Sequence, residues 1–315
     1  MKKLFLKREF GIFMLLVVLC SVVAMLNHRF LSIPNLQNTG RLIGMFGIFS
    51  IGTGLVIITG GIDLSTGSLM ALIGVQLAIL LVDKQWPWPA AILAVMALSS
   101  LLGLAHGILI TRLKLQPFIV TLCGLLIYRG AAQFVAQDET KGFGTQKGFE
   151  LLQQMATKLT LGVPNPLILM TIIAIIMWIV LHRSVYGRYL FAVGQNEAAA
   201  RYSGINTRSM ITSAYVLSGF FGGVSGILFA FYTNSISPSS HAQSYELYGI
   251  AAAVLGGCSL SGGEGSILGI ILGTALLRVL ENLVILLNIP SSLDFAVMGT
   301  VILLGVTADK LLKKK

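Results

Sequence analysis

LIGMFGIFSIGTGLVIITGGIDLSTGSLMALIGVQLAILLV occupies residues 42–82, and Asp63 is the only charged residue in it. A helix needs about 20 apolar residues to cross the hydrocarbon core of a bilayer. The stretch holds two such runs, Leu42–Thr59 and Ser65–Val82, joined by Gly60-Gly61-Ile62-Asp63-Leu64-Ser65-Thr66-Gly67-Ser68. Inside lipid every backbone polar group needs an internal partner, so these runs predict helices and an all-α fold. Outward from this stretch come further runs at Phe10–Leu26, Trp88–Ile110, Pro117–Val135, Asn165–Leu181, Met210–Phe231, Leu247–Leu260, Ile267–Leu287 and Leu293–Ala308. The expectation is a polytopic transmembrane helix bundle of about ten spans. Phe10–Leu26 is followed by Asn27-His28-Arg29 rather than a small-residue cleavage site, so it reads as a retained first span. The eighth run is short, which suits a broken helix.

Composition agrees. Of 315 residues, 55% are apolar and 11% charged, against about 25% charged in soluble domains. Mean hydropathy is +0.86. A soluble enzyme, a disordered tail and a disulfide scaffold are excluded. The whole chain, 1–315, reads as one transmembrane domain with short tails at 1–9 and 309–315. The net charge of +10 would suit nucleic acid, but the basic residues cluster between uncharged runs, as in membrane loops. With the N-terminus in the cytoplasm, 14 of the 22 Lys and Arg residues lie inside and 6 outside. That bias predicts cytoplasmic termini, the bilayer as partner, and no nucleic acid. Cys20, Cys123 and Cys258 lie far apart in apolar runs and read as packing residues.

No Gly-Lys dipeptide occurs, so there is no P-loop, and neither a metalloprotease nor a nucleophile-elbow motif is present. No catalytic residue, cofactor or metal ligand is expected. A second glycine-rich turn runs from Gly256 to Ser266 and holds Gly256, Gly257, Gly262 and Gly263 around Glu264. Its kinship with Gly60–Ser68 allows two readings: separate tight turns, or a weak internal repeat with irregular backbone buried between helices. Gly103/Gly107, Ser218/Gly222/Gly226 and Gly269/Gly273 are spaced for close helix packing within the chain. The basic segment 183–208 contains Asn196-Glu197-Ala198-Ala199-Ala200-Arg201. Asn196 can cap a short helix there and Gly204 can end it. Such a helix could dock into a cytoplasmic partner; the plainer reading is a basic loop on anionic lipid.

At this loop a resemblance appears. AVGQNEAAARYSGI resembles the coupling motif of sugar-type (ribose, xylose, arabinose, galactose) ABC transporter permeases. GGIDLSTGS at 60–68, QPFIVTL at 116–122, SYELYGIAAAVLGGCSLSGGEGS at 244–266 and the stretch ending Thr307-Ala308-Asp309 resemble other family signatures in the same order. The likeness runs from about residue 10 to 309. It implies a bacterial inner-membrane permease with a fold like the vitamin B12-type importers. It implies a second permease subunit, identical or different, and ABC ATPase subunits that hydrolyse the ATP. A periplasmic or lipid-tethered solute-binding protein would deliver a pentose- or hexose-class sugar. The residues expected to couple to the ATPase are Gly194, Asn196, Glu197, Ala198, Ala199, Ala200, Ser203 and Gly204. Those expected to gate or turn are Gly60, Gly61, Asp63, Ser65, Gly256, Gly257, Gly262 and Gly263. Cys123, His106 and Tyr248 depart from the family pattern, as do Arg278 and Glu281 in the ninth span, and these bear on which sugar is carried.

Rival readings are a related permease for autoinducer-2 or a branched-chain amino acid, a secondary transporter, and a membrane scaffold. Single residues carry further expectations. Asp63 sits in a turn near the membrane surface and caps the third span. Glu246 ends the eighth span in solvent, and Arg129 snorkels to the interface. Arg278 and Glu281, three apart on one helix face, pair within the membrane, because a lone charge there costs about 2.5 kcal/mol or more.

Overall fold

The computed structural model describes residues 2–144 and 148–290, with 293, 296, 299, 300 and 303 beyond them. The side chains of residues 2–8 are not among those described. Eight helices among the described residues are long and apolar enough to cross a membrane. In chain order they are α1 (Lys2–Leu26), α2 (Ile33–Ile58), α3 (Thr66–Ala78, extended by one π-type turn to Asp83), α4 (Trp88–Arg112), α5 (Pro117–Ala136), α7 (Asn165–Arg183), α10 (Thr207–Thr233) and α12 (Ile267–Leu286). A ninth apolar helix, α11 (Tyr245–Leu255), is too short to cross alone. The expected span at Leu293–Ala308 lies largely outside the described residues. Between the long helices lie α6 (Glu150–Thr157), the two-residue strands β1 (Leu159–Thr160) and β2 (Val163–Pro164) paired antiparallel, α8 (Val185–Gln195) and α9 (Glu197–Tyr202). The architecture is an all-α membrane bundle.

α2, α3 and α10 form its centre and are mostly buried, while α1 buries only Val23 among its described side chains, where it packs on α12. Small residues bring the helices together. A Cβ on Gly103 of α4 would stand 2.3 Å from the Tyr215 carbonyl oxygen of α10, and one on Gly219 of α10 would stand 2.4 Å from the Ser99 carbonyl oxygen. In lipid, where apolar side chains gain little by leaving the solvent, such close backbone contact is a main source of helix association. Gly269 and Gly273 of α12 meet the backbone of Gly256 and Ala252 in the same way.

α2 begins at Ile33, nine residues before the apolar run that predicted it. Its added polar turns have partners. The Asn35 and Asn282 amides exchange hydrogen bonds at 3.0 and 2.8 Å, and Arg41 donates to the Thr157 carbonyl at 2.8 Å. Tyr232 donates to Asn38 at 3.1 Å. α11 starts at Tyr245 and ends at Leu255, five residues short of the expected run.

Candidate functional site: a glycine junction beneath a buried polar centre

Three backbone segments converge at the end of the bundle that carries α9. The first is the C-terminus of α2, Ile58 to Gly60. The second is the turn Ser261–Gly263, and the third is the end of α8 at Gly194 and Gln195. Gly263 N–H donates to the Ile58 carbonyl at 2.8 Å. A Cβ on Gly194 would stand 1.8 Å from that same oxygen and 2.5 Å from the Gly263 nitrogen. Gly262 fits against the Gly194 carbonyl and Gly60, and its φ of +84° also favours glycine. The two glycine-rich turns thus touch each other, and the end of α8 is pressed onto both. Of the other turn residues, Gly256 packs against Gly269 of α12, Gly61 lies under the Tyr215 hydroxyl, and Gly257 adopts φ +91° in open space.

α9 follows directly. The Asn196 side chain accepts from Ala199 N–H at 2.9 Å and caps the helix. Glu197 pairs with Arg201 one turn on and accepts from the Thr207 hydroxyl at 3.1 Å, which ties α9 to the start of α10. Gly204, at φ +83°, turns the chain back. Ala198, Ala199 and Ser203 are exposed, and Tyr202 is 93% exposed. Ala200 faces inward and is buried. The eight loop residues therefore divide: Gly194 and Ala200 hold the loop against the bundle, and the others present or shape its outer face. α8 is absent from the sequence reading. Its glycines, Gly187 and Gly194, disfavour a helix by propensity, but both are contact points against backbone.

From Gly61 to Ser65 the chain is non-helical and lies within the bundle, which corrects the expectation of a surface turn. Asp63 is 4% exposed. It accepts from Ser65 N–H at 3.0 Å, the Ser65 hydroxyl at 2.7 Å and the Ser218 hydroxyl at 2.8 Å. Ser218 is eleven residues along α10, about 16 Å from its start. The Ile62 carbonyl accepts from Tyr215 at 3.3 Å and Thr121 at 3.2 Å. Tyr128 and His106 share a 2.9 Å hydrogen bond beside this segment. Ser218 was noticed in the sequence only as a small packing residue. Tyr215 and Ser218, three apart on α10, were the available sign of a polar face.

Glu246 is also corrected. Glu246 is 7% exposed, not solvated, and its carboxylate lies where a Cβ on Gly67 would stand. Arg129 donates to the Pro238 and His241 carbonyls at 3.0 and 2.8 Å, because the segment before α11 folds in beside α5. Arg278 and Glu281 lie apart from both clusters. Arg278 pairs with Glu281, and its guanidinium sits 3.7 Å over the Phe46 ring and 4.6 Å from that of Tyr248. Among the described residues no group of three His, Cys, Asp or Glu could hold a metal ion.

Residues 35–306 match the family described as branched-chain amino acid transport system / permease component. The ribose import permease protein RbsC of Bacillus subtilis is 36% identical over 96% of this chain and 93% of its own. That of Haemophilus influenzae is 34% identical over the same shares. The chain belongs to the sugar-type ABC permease family. The D-allose permease AlsC of Escherichia coli is 29% identical over 97% of the chain and 93% of its own. No solved structure matches. This permease is therefore a multi-pass protein of the bacterial inner membrane.

Proposed function

We propose that this permease carries a pentose- or hexose-class monosaccharide into the cell, powered by a separate ABC ATPase that docks on α9. The observation that carries this reading is the build of α9. It is capped, anchored at Thr207 and pressed through Gly194 onto both glycine turns, yet it presents Ala198, Ala199 and an exposed Tyr202 outward. Small residues admit close approach, and an aromatic ring left in water suits a protein contact. In this reading the α9 end and both termini are cytoplasmic. Residues 1–315 form one transmembrane domain of ten spans resembling the vitamin B12-type permeases. Two permease subunits pair, and a solute-binding protein delivers the sugar on the far side. The chain itself hydrolyses no ATP. Relatives named for ribose, allose and fructose favour a sugar over an amino acid or autoinducer-2.

Ala199→Glu tests the reading. The site is exposed, so the variant folds and inserts, but its carboxylate is poorly solvated at a close protein contact. Sugar-stimulated ATP hydrolysis and uptake in reconstituted vesicles are expected to fall, as is co-purification of the ATPase. Docking of the loaded binding protein stays, since that surface is about 30 Å of hydrocarbon away. Wild-type ATPase capture and uptake would overturn it.

A further inference from the structure

A groove of about 960 Å³ opens on the side of the bundle between α4, α7, α8 and α10, at the α9 end. Arg112, the last residue of α4, and Arg208, in the first turn of α10, stand at its rim. Both are exposed, and neither has an ion-pair partner among the described residues. Ser209 and Asn206 line the rim beside them, where the first turn of α10 offers its positive end. No carboxylate lines the groove. Below the rim come the hydroxyls of Thr111, Tyr186, Thr212 and Ser213, and the far end is apolar. Leu104 lies eight residues back along α4 from Arg112, and Val216 eight residues along α10 from Arg208. At 1.5 Å per residue the groove runs about 12 Å from the charged rim toward the middle of the bundle, ending at apolar Leu104 and Val216.

We propose that this groove binds one anionic phospholipid, its phosphate between Arg112 and Arg208 and an acyl chain along Leu104 and Val216. Two unpaired guanidiniums above a slot with an apolar end match a phosphate above a hydrocarbon chain. A soluble protein has no means of filling a slot that runs about 12 Å into hydrocarbon. A second permease copy related by a two-fold axis would bring a like pair of arginines to this face, which repels. The site also bears on coupling. Arg208 directly follows Thr207, the residue that ties α10 to Glu197 of α9. A lipid held at Arg208 would steady the foot of α10 where α9 hangs from it.

The test uses full-length permease in detergent, equilibrated with micelles of equal phosphatidylglycerol and phosphatidylcholine, with retained lipid read by native mass spectrometry. Phosphatidylglycerol is expected to be retained about thirtyfold over phosphatidylcholine, on the scale of two basic residues near one net anionic headgroup. Arg112→Gln/Arg208→Gln should bring the two lipids to parity. Leu104→Trp keeps both arginines and fills the slot, and should also lose the bound lipid. It decides the matter alone if the double variant aggregates. Millimolar inorganic phosphate should leave the lipid in place. Equal retention of both lipids by the wild type, unchanged retention in the variants, or displacement by phosphate alone would overturn the proposal. So would a double variant that keeps the lipid but loses the second copy or the ATPase, since the groove would then be a protein interface.

Discussion

Replacing Gly194 by alanine separates docking from coupling. The new Cβ would stand 1.8 Å from the Ile58 carbonyl oxygen, where real Cβ atoms stay beyond 3.0 Å. The backbone of α8 must therefore retreat from α2 by about 1.2 Å. Both facing atoms are backbone, so no side chain can rotate aside. The retreat also presses on the Gly263 nitrogen, 2.5 Å from the same Cβ, and so on its hydrogen bond to Ile58. Overpacking of this kind costs about 1–3 kcal/mol, and a buried polar group left without its partner about 1–3 kcal/mol more. Since about 1.4 kcal/mol is a factor of ten, the intact junction should lose population by tenfold or more. α9 keeps its Asn196 cap and its tie to Thr207, so the ATPase should still co-purify. Uptake in reconstituted vesicles and sugar-stimulated ATP hydrolysis should each fall at least about tenfold. Gly130→Ala, with nothing within 4 Å of its Cβ, is the matched control and should transport normally. Wild-type uptake from a well-folded Gly194→Ala protein would refute the reasoning, because a junction that tolerates such a shift transmits nothing.

Two further predictions rest on single residues. Glu281→Gln leaves the 4% exposed Arg278 without its counter-charge and should destabilise the protein by about 3–5 kcal/mol. The double variant Arg278→Met/Glu281→Leu should melt closer to wild type than either single change, as read by thermal unfolding in detergent. Cys258 lies buried in the second glycine turn. In a protein whose other two cysteines are serine, maleimide at pH 8 should therefore label it only after unfolding; labelling of the native protein would show the turn to be open.

The long helices were legible because lipid imposes one rule on every span, a run of about 20 apolar residues. The cap at Asn196 and the turn at Gly204 were legible because they depend only on neighbouring residues. Asp63 was misplaced for the complementary reason. In isolation a carboxylate among glycines reads as a surface turn, and its actual setting depends on Ser218, 155 residues away in sequence. The same holds for Glu246 against Gly67. The early start of α2 escaped because Asn35, Asn38 and Arg41 look like loop until Asn282, Tyr232 and the Thr157 carbonyl supply their partners. α8 escaped because helix propensity disfavours Gly187 and Gly194, whereas the fold needs both for backbone contact.

These misplacements share a physical cause that bears on mechanism. Non-helical backbone at membrane depth persists only where protein satisfies it, and the segment from Gly61 to Ser65 draws its partners from the end of α2, from Asp63 within it and from side chains of α5 and α10. Such a segment is held by separate helices and has no internal ladder of its own, so its position follows theirs. At its lower end it continues from Ile58 and Gly60, which touch Gly263 and Gly194. On the proposed reading, a displacement of α9 reaches the buried Asp63 through two backbone contacts and the short turn and non-helical segment from Thr59 to Ile62, with no side chain needed to relay it. Glycine at these contacts is what makes the path stiff. Any larger residue would replace a direct backbone contact with a rotatable one, and the motion would be absorbed where it should be passed on.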